Sequence, residues 1–404
     1  MGNILKNQFM NRANIYILLW CIYYLQGIVY ASGSIVSQSV LLILLLISLY
    51  NFFVVLIKYK LPIYLKGLNI LLFLFSIYGV ALLLSGQKIL IQESFAVSSN
   101  HEYLKAILIS LLPVYSAFLY TKQGYLTAKS LKYWMPLWFI TAIISYYSYQ
   151  QSALSLLVSR DETTNNVAYR FVALMPIVVL LYKRPVSMFI SLLVCFLFVL
   201  MGMKRGAILI AVINLFIVVY YMYSTANKKL RRYIIISSLA IVVALVFFVE
   251  QLLHNSDFFA SRIEATLDGD SSGRGDIYSS FWNYYLNQTD LVNLLFGNGA
   301  DATLTIGYNY AHNDWLEILI NQGLIGVIIY AVYFVYFYKS ILYRGTGNPF
   351  IYIGLKMIFS IVFLSTIFSM SYASMDIFLS LALGFFLACI CSSNTYKLKY
   401  IKQK

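Results

Sequence analysis

Twelve apolar runs, most of them close to twenty residues long, constrain this chain more than any other feature. They fall near residues 13–31, 35–57, 67–85, 103–121, 133–149, 167–182, 186–203, 206–223, 233–253, 314–338, 350–371 and 373–392. A helix of about 20 apolar residues crosses the hydrocarbon of a bilayer with its backbone polar groups satisfied internally. The shorter runs fit if neighbouring boundaries move or the helices tilt less. A membrane β-barrel would need shorter segments of alternating polarity, which the sequence lacks. With 61% hydrophobic and only 11% charged residues, an ordinary soluble domain is excluded as well. The expected fold is all-α: one polytopic integral membrane domain over residues 1–404, with about twelve transmembrane helices and one long external loop, 254–311, periplasmic if the resemblance given below holds.

Cys21, Cys195, Cys389 and Cys391 lie in or at the ends of apolar runs, which argues against a disulfide framework or a thiolate metal site. Lys6 and Arg12 ahead of the first run resemble the start of a signal peptide, with Val29-Tyr30-Ala31 as a loose cleavage site. An uncleaved first span is the preferred reading, because a second span follows at once.

The basic residues set the orientation. Lys58, Lys60 and Lys66, then Lys122, Lys129 and Lys132, Lys183 and Arg184, Lys228 to Arg232, Lys339 and Arg344, and the lysine-rich tail all fall on one side of the alternating spans. The positive-inside rule makes that side, and both termini, cytoplasmic; the resemblance described below implies a bacterial inner membrane. The net charge of +14 is therefore mostly a topology signal, and no nucleic-acid partner is expected.

Exceptions to the rule point to a site. Lys204 and Arg205, in the tight turn "MGMKRGAIL", fall outside, where basic residues have no topological use; they form either an anion site or a displaced boundary. Arg160 and Arg170 flank "DETTNN" in another external loop, and Arg262 and Arg274 lie in the long external segment. Asp268, Asp270, Ser272 and Gly273 mimic a calcium loop, but Ser279 stands where a bidentate Glu is required. The Arg274-Gly275-Asp276 tripeptide is a chance match to an adhesion signal. The Tyr- and Trp-rich stretch after it is an interfacial belt or a sugar platform. At "AHNDWLEILINQGLIG", Asn313 or Asp314 caps a helix, Gly323 and Gly326 admit a neighbouring helix, and His312 stands just outside the membrane as an interfacial or a chemical group.

Taken in order, "MKRGAIL" at 203–209, "SSGRGDIYSSFW" at 271–282, "NLLFGNGADATL" at 293–304 and "AHNDWLEILINQGLIG" at 311–326 resemble the bacterial O-antigen polymerase and O-antigen ligase superfamily. His312, Asn313, Leu316, Gly323 and Gly326 match its His-Asn-x-x-Leu and Gly-x-x-Gly pattern. Lys204-Arg205-Gly206 matches its Ser-Arg-Gly with lysine for serine, and Gly273-Arg274 its Gly-Arg; Asn165 and Asn166 match only loosely. The resemblance covers about 160–326 and implies a GT-C-like membrane glycosyltransferase with an undecaprenyl-diphosphate-linked glycan as donor. It also implies the lipid bilayer and a chain-length regulator protein as partners.

The chemistry suits these residues. Cleaving the bond between an anomeric carbon and a diphosphate builds negative charge, which guanidinium groups can meet bidentately without a metal or other cofactor. Arg160, Arg170, Lys204, Arg205 and Arg274 are the substrate-binding candidates. His312 is the candidate general base, imidazole being the side chain that ordinarily titrates nearest neutrality. Asn313, Asp314 and Glu317 are further substrate-binding candidates, the two acids also as orienting partners for His312. A polymerase is favoured over a ligase that transfers glycan to lipid A core, because external basic residues are few and the segment from Asp257 to Asp301 is acidic. A flippase would show charges deep in spans of both halves and internal repeats, and neither is evident.

Overall fold

The structure, a computed structural model, describes residues 11–26, 29–30, 33–86, 89–91, 96–98, 101–155, 164–257, 260–261, 264, 273–307, 309–342, 349–368 and 375–401. The first helices are α1 (Arg12–Tyr24), α2 (Ile35–Lys58) and α3 (Ile63–Ser85). A short antiparallel hairpin follows, β1 (Ile89–Ile91) paired with β2 (Ala96–Ser98), Leu90 opposite Val97. Next come α4 (His101–Lys122), α5 (Ala128–Ser155), α6 (Ala168–Val178), α7 (Pro185–Met201), α8 (Arg205–Thr225) and α9 (Lys228–Asn255). Three short helices, α10 (Arg274–Leu286), α11 (Leu291–Phe296) and α12 (Ala302–Ile306), precede α13 (Asp314–Leu342), α14 (Pro349–Phe368) and α15 (Ile377–Ile401).

Each apolar run of the sequence contains a helix among the described residues. Among the described residues, six helices (α2, α3, α4, α8, α13 and α14) are long and apolar enough to cross a membrane, where about twelve spans are expected from sequence. Shorter apolar helices are α6 with its 3-10 extension, α7 and α15. The 3-10 turn at Val179–Leu181 follows Pro176, whose ring cannot continue an α-helical ladder, so α6 ends early.

The core of the bundle is α4 against α15, flanked by α2 and α3. Gly384 allows this approach: a Cβ there would lie 2.2 Å from the carbonyl oxygen of Val114 and 2.8 Å from the Ala117 side chain. Near Pro113, which lies inside α4, the Ser380 hydroxyl donates to the Ser110 carbonyl at 2.6 Å. Other buried polar groups join helices in the same way. Tyr16 and Ser48 meet at 2.6 Å, Tyr64 and Tyr333 at 2.7 Å, and Asn51 donates to Ser116 and Tyr120 at 3.1 Å. In a medium without water, such pairs satisfy polar groups and fix which helix faces meet.

Candidate functional site

The site is assembled by local devices that each displace one basic side chain toward a common space. Asn165, fully buried, anchors the start of α6. Its backbone N–H donates to the Gly202 carbonyl at 2.9 Å and its Nδ2 to the Tyr146 carbonyl at 2.9 Å, while its Oδ1 accepts from the Val167 N–H at 2.9 Å. Gly202 fits because a Cβ there would lie 2.6 Å from that of Ala168. The turn Gly202–Lys204 is thereby pressed onto the first turn of α6, which carries Arg170. Gly206 performs the same service one residue beyond Arg205, where a Cβ would meet Tyr169 Oη at 2.7 Å and Phe368 at 2.8 Å.

Arg274, the first residue of α10, reaches the other side of Phe368. Its Nη1 donates to the Phe368 carbonyl at 3.1 Å, at the electronegative end of α14. Arg170 is held from three directions: it donates to Ser145 Oγ at 2.8 Å and to Asp376 Oδ2 at 3.4 Å, and it lies 3.9 Å over the Tyr24 ring. Asp376 also accepts from Tyr24 Oη at 3.1 Å and from the Phe378 N–H at 2.9 Å, so it caps α15 while facing the arginine. Burial pushes the Asp376 carboxyl up, against the opposing pull of the Arg170 guanidinium.

His312 sits in the turn before α13 with φ 53°, a left-handed conformation rare for a side chain with a Cβ. Hydrogen bonds on both flanks hold it there. The Ala311 N–H donates to Glu317 Oε2 at 2.7 Å, and Asn313 Oδ1 caps α13 by accepting from Trp315 at 3.0 Å and Leu316 at 3.2 Å. Tyr278 of α10 donates to the His312 carbonyl at 3.4 Å. Trp315 Nε1 donates to Thr366 Oγ1 at 3.0 Å and joins the start of α13 to the end of α14.

These elements enclose a cavity of about 770 Å³ whose lining includes Arg170, Lys204, Arg274, His312 and Asp376. Tyr24, Tyr169, Tyr330 and Tyr333 form part of its wall. Three cations from three separate elements thus share one space with one of the three histidines.

Other candidates fall elsewhere. Arg160 and Arg262 lie outside the described residues. Arg205 opens α8 but does not line the cavity; the helix start directs its neighbour Lys204 inward instead. Asp314 and Glu317, expected at the substrate, are fully buried behind it. Asp314 accepts from Tyr330 Oη at 2.8 Å. Glu317 accepts from Thr303 Oγ1, from the Ala311 N–H and from Asn321 Nδ2, so it orients the backbone beside His312 and neither acid lines the cavity. Asn313 is a helix cap and also lines a separate groove with Tyr278, Trp282 and Trp315.

The two glycines of the same stretch play different parts. Gly323 admits the short helix α11, since a Cβ there would lie 2.5 Å from the backbone of Leu295 and of Gly297 just beyond it, but it also breaks α13, with φ 68° and ψ −167°. The carbonyls freed at the break, Ile320 and Asn321, accept from the N–H groups of Asn298 and Gly299 at 3.0 Å each. Gly326 makes room for Gln322 and Ile318 of its own helix.

The cavity residues can now be set against known sequences. Residues 190–331 match the O-antigen ligase family. The matched stretch contains Lys204, Arg274 and His312, together with the broken helix at Gly323 and the tyrosine Tyr330 that holds Asp314. Arg170 and Asp376 reach the cavity from outside that stretch. No curated protein matches the chain. Sequence reasoning missed Asp376, although a signal existed: it is the only Asp or Glu after Glu317, a lone acid near the start of the last apolar run.

Proposed function

We propose that the chain is a metal-independent membrane glycosyltransferase of the polymerase type, which joins undecaprenyl-diphosphate-linked repeat units at the periplasmic face. The observation that carries this reading is the convergence of Arg170, Lys204 and Arg274 with His312 on one cavity. In the step proposed, the acceptor hydroxyl oxygen bonds to the anomeric carbon of the donor glycan. The bond from that carbon to the diphosphate breaks, and the hydroxyl proton passes to the His312 imidazole. The lipid diphosphate leaves with the electron pair, its growing charge met by the guanidinium and ammonium groups. Arg170, which also pairs with Asp376, lines the cavity with Lys204 and Arg274, and the three are the proposed partners of the leaving group.

The family match supports glycan transfer and is shared by ligases and polymerases; the acidic segment and the scarcity of other external basic residues favour a sugar acceptor over a phosphorylated lipid A core. A deletion strain tests the reading directly. Lipid A core carrying a single repeat unit is the expected result. Bare core with long polymer still on undecaprenyl diphosphate would assign the chain as a ligase, and repeat units trapped on the cytoplasmic side would assign it as a flippase. With purified protein, transfer should survive chelation by EDTA; its loss would overturn metal independence.

A further inference from the structure

At the opposite helix ends from the cavity just described lies a second one of about 320 Å³, between the turn from α4 to α5, the end of α6, the start of α14 and the middle of α15. Its two parts differ in character. Leu126, Leu180 and Phe385 form a buried apolar floor, while Lys132, Lys183 and Thr127 stand at the more exposed rim, with Thr121 and Tyr182 adding hydroxyl groups.

The two lysines come from different elements, and neither makes an ion pair among the described residues. The sequence supplies no acid for them: no Asp or Glu occurs in 103–160, 163–249, 318–375 or after 376, which are the segments that form this cavity. By contrast, Lys105 pairs with Glu102 at 2.8 Å and Arg170 with Asp376. Topology alone requires only that basic residues stand at this end of the bundle, not that two of them border one cavity with an apolar floor.

We propose that this second cavity binds a phosphate group, with Lys132 and Lys183 as its charge partners and the Thr127 hydroxyl as a hydrogen-bond donor. The apolar floor fits the glycerol and first acyl carbons of a phospholipid whose headgroup phosphate occupies the rim, since basic recesses between membrane helices on the cytoplasmic side suit anionic headgroups. The same rim chemistry would accept free phosphate.

Native mass spectrometry of the full-length protein, released from neutral detergent after exchange into phosphatidylglycerol or phosphatidylcholine, separates the sources. The expected result is a retained phosphatidylglycerol adduct, favoured at least tenfold over phosphatidylcholine. The double variant Lys132→Gln/Lys183→Gln should lose it, while Lys129→Gln, whose ammonium lies over the Tyr133 ring, should keep it. Inorganic phosphate at millimolar concentration is the second arm. If phosphate raises the melting temperature of the wild type but not of the double variant, and no lipid adduct is selective, the site takes free phosphate. Equal adducts on wild type and double variant with no phosphate effect on either would overturn the proposal. Both lysines are at the rim, so a double variant that reaches the membrane at normal level reads binding and not folding.

Discussion

The proposed chemistry at His312 depends on a side chain presented from a left-handed backbone by neighbours that do no chemistry themselves. His312→Ala should lower transfer by on the order of 10²–10⁴ while leaving the amount of protein in the membrane unchanged. His254, exposed near the end of α9 and away from the cavity, is the control. Near-normal transfer by purified His312→Ala protein would remove the base from the mechanism. Asp301 makes a second, pH-dependent test. Burial raises its carboxyl to about 6, from an ordinary 3.8. The folded chain therefore binds this proton more tightly than the unfolded one. The resulting stabilisation is complete below the ordinary value and is lost as pH rises through about 6. Asp301→Asn removes the ionisation and suits the left-handed φ of 56°. It should raise the thermal midpoint by a few degrees at about pH 8 and leave it unchanged at about pH 4. An equal shift at both pH values would rule the titration out as its cause.

The lining of the candidate site was legible in the sequence in part, where a charge broke a rule. Lys204 and Arg274 stood out because topology had no use for them, and both line the cavity. Asp314 and Glu317, expected at the substrate or as orienting partners of His312, do not line the cavity, for a physical reason: a run of sequence places acids beside a histidine but does not reveal which ones hydrogen bonds have already occupied. Only the fold shows Tyr330 reaching back sixteen residues to Asp314.

Among the elements, hydropathy located all the helices that follow apolar runs, because burial in lipid and burial in protein demand the same residues. What it missed is the break in α13. Gly323 at φ 68° and ψ −167° occupies a region of backbone space open essentially to glycine alone, and Gly297 at φ 76° and ψ −171° faces it in the same conformation. Seen as letters, Gly323 and Gly326 form a small-residue pair for helix packing; nothing in their spacing separates that role from a kink. Gly323→Ala should cost about 1–3 kcal/mol in backbone strain, with the overlap against Leu295 and Gly297 in addition. The expected outcome is a lower melting temperature and loss of transfer. A variant of Gly323 as stable as wild type would show that the break is not required.

For the molecule as a whole, the two cavities lie at opposite ends of the bundle, so the charge pattern makes a claim about sidedness. In a background lacking Cys389 and Cys391, a cysteine replacing exposed Gln123 should react with a membrane-impermeant thiol reagent only after the inner membrane is opened. One replacing exposed Asn287, after α10, should react in cells with only the outer membrane permeabilised. The reverse pattern would place the His312 cavity in the cytoplasm. Gly202 and Gly206 are unsuitable positions, because neither has room for a side chain.

The break in α13 also changes how the loop ahead of it should respond to time. Asn298 and Gly299 lie outside any helix, yet their amide protons are spent on the carbonyls of Ile320 and Asn321 in the interior of the bundle. In deuterated buffer such protons exchange only when the structure opens around them, so both should persist on the slow scale of the core helices, unlike those of an ordinary surface loop. The chain between them and the break is closed into a ring by these two bonds, and His312 rides on that ring. Deuterium uptake at residues 298–299 would then measure how often the proposed proton acceptor leaves its post.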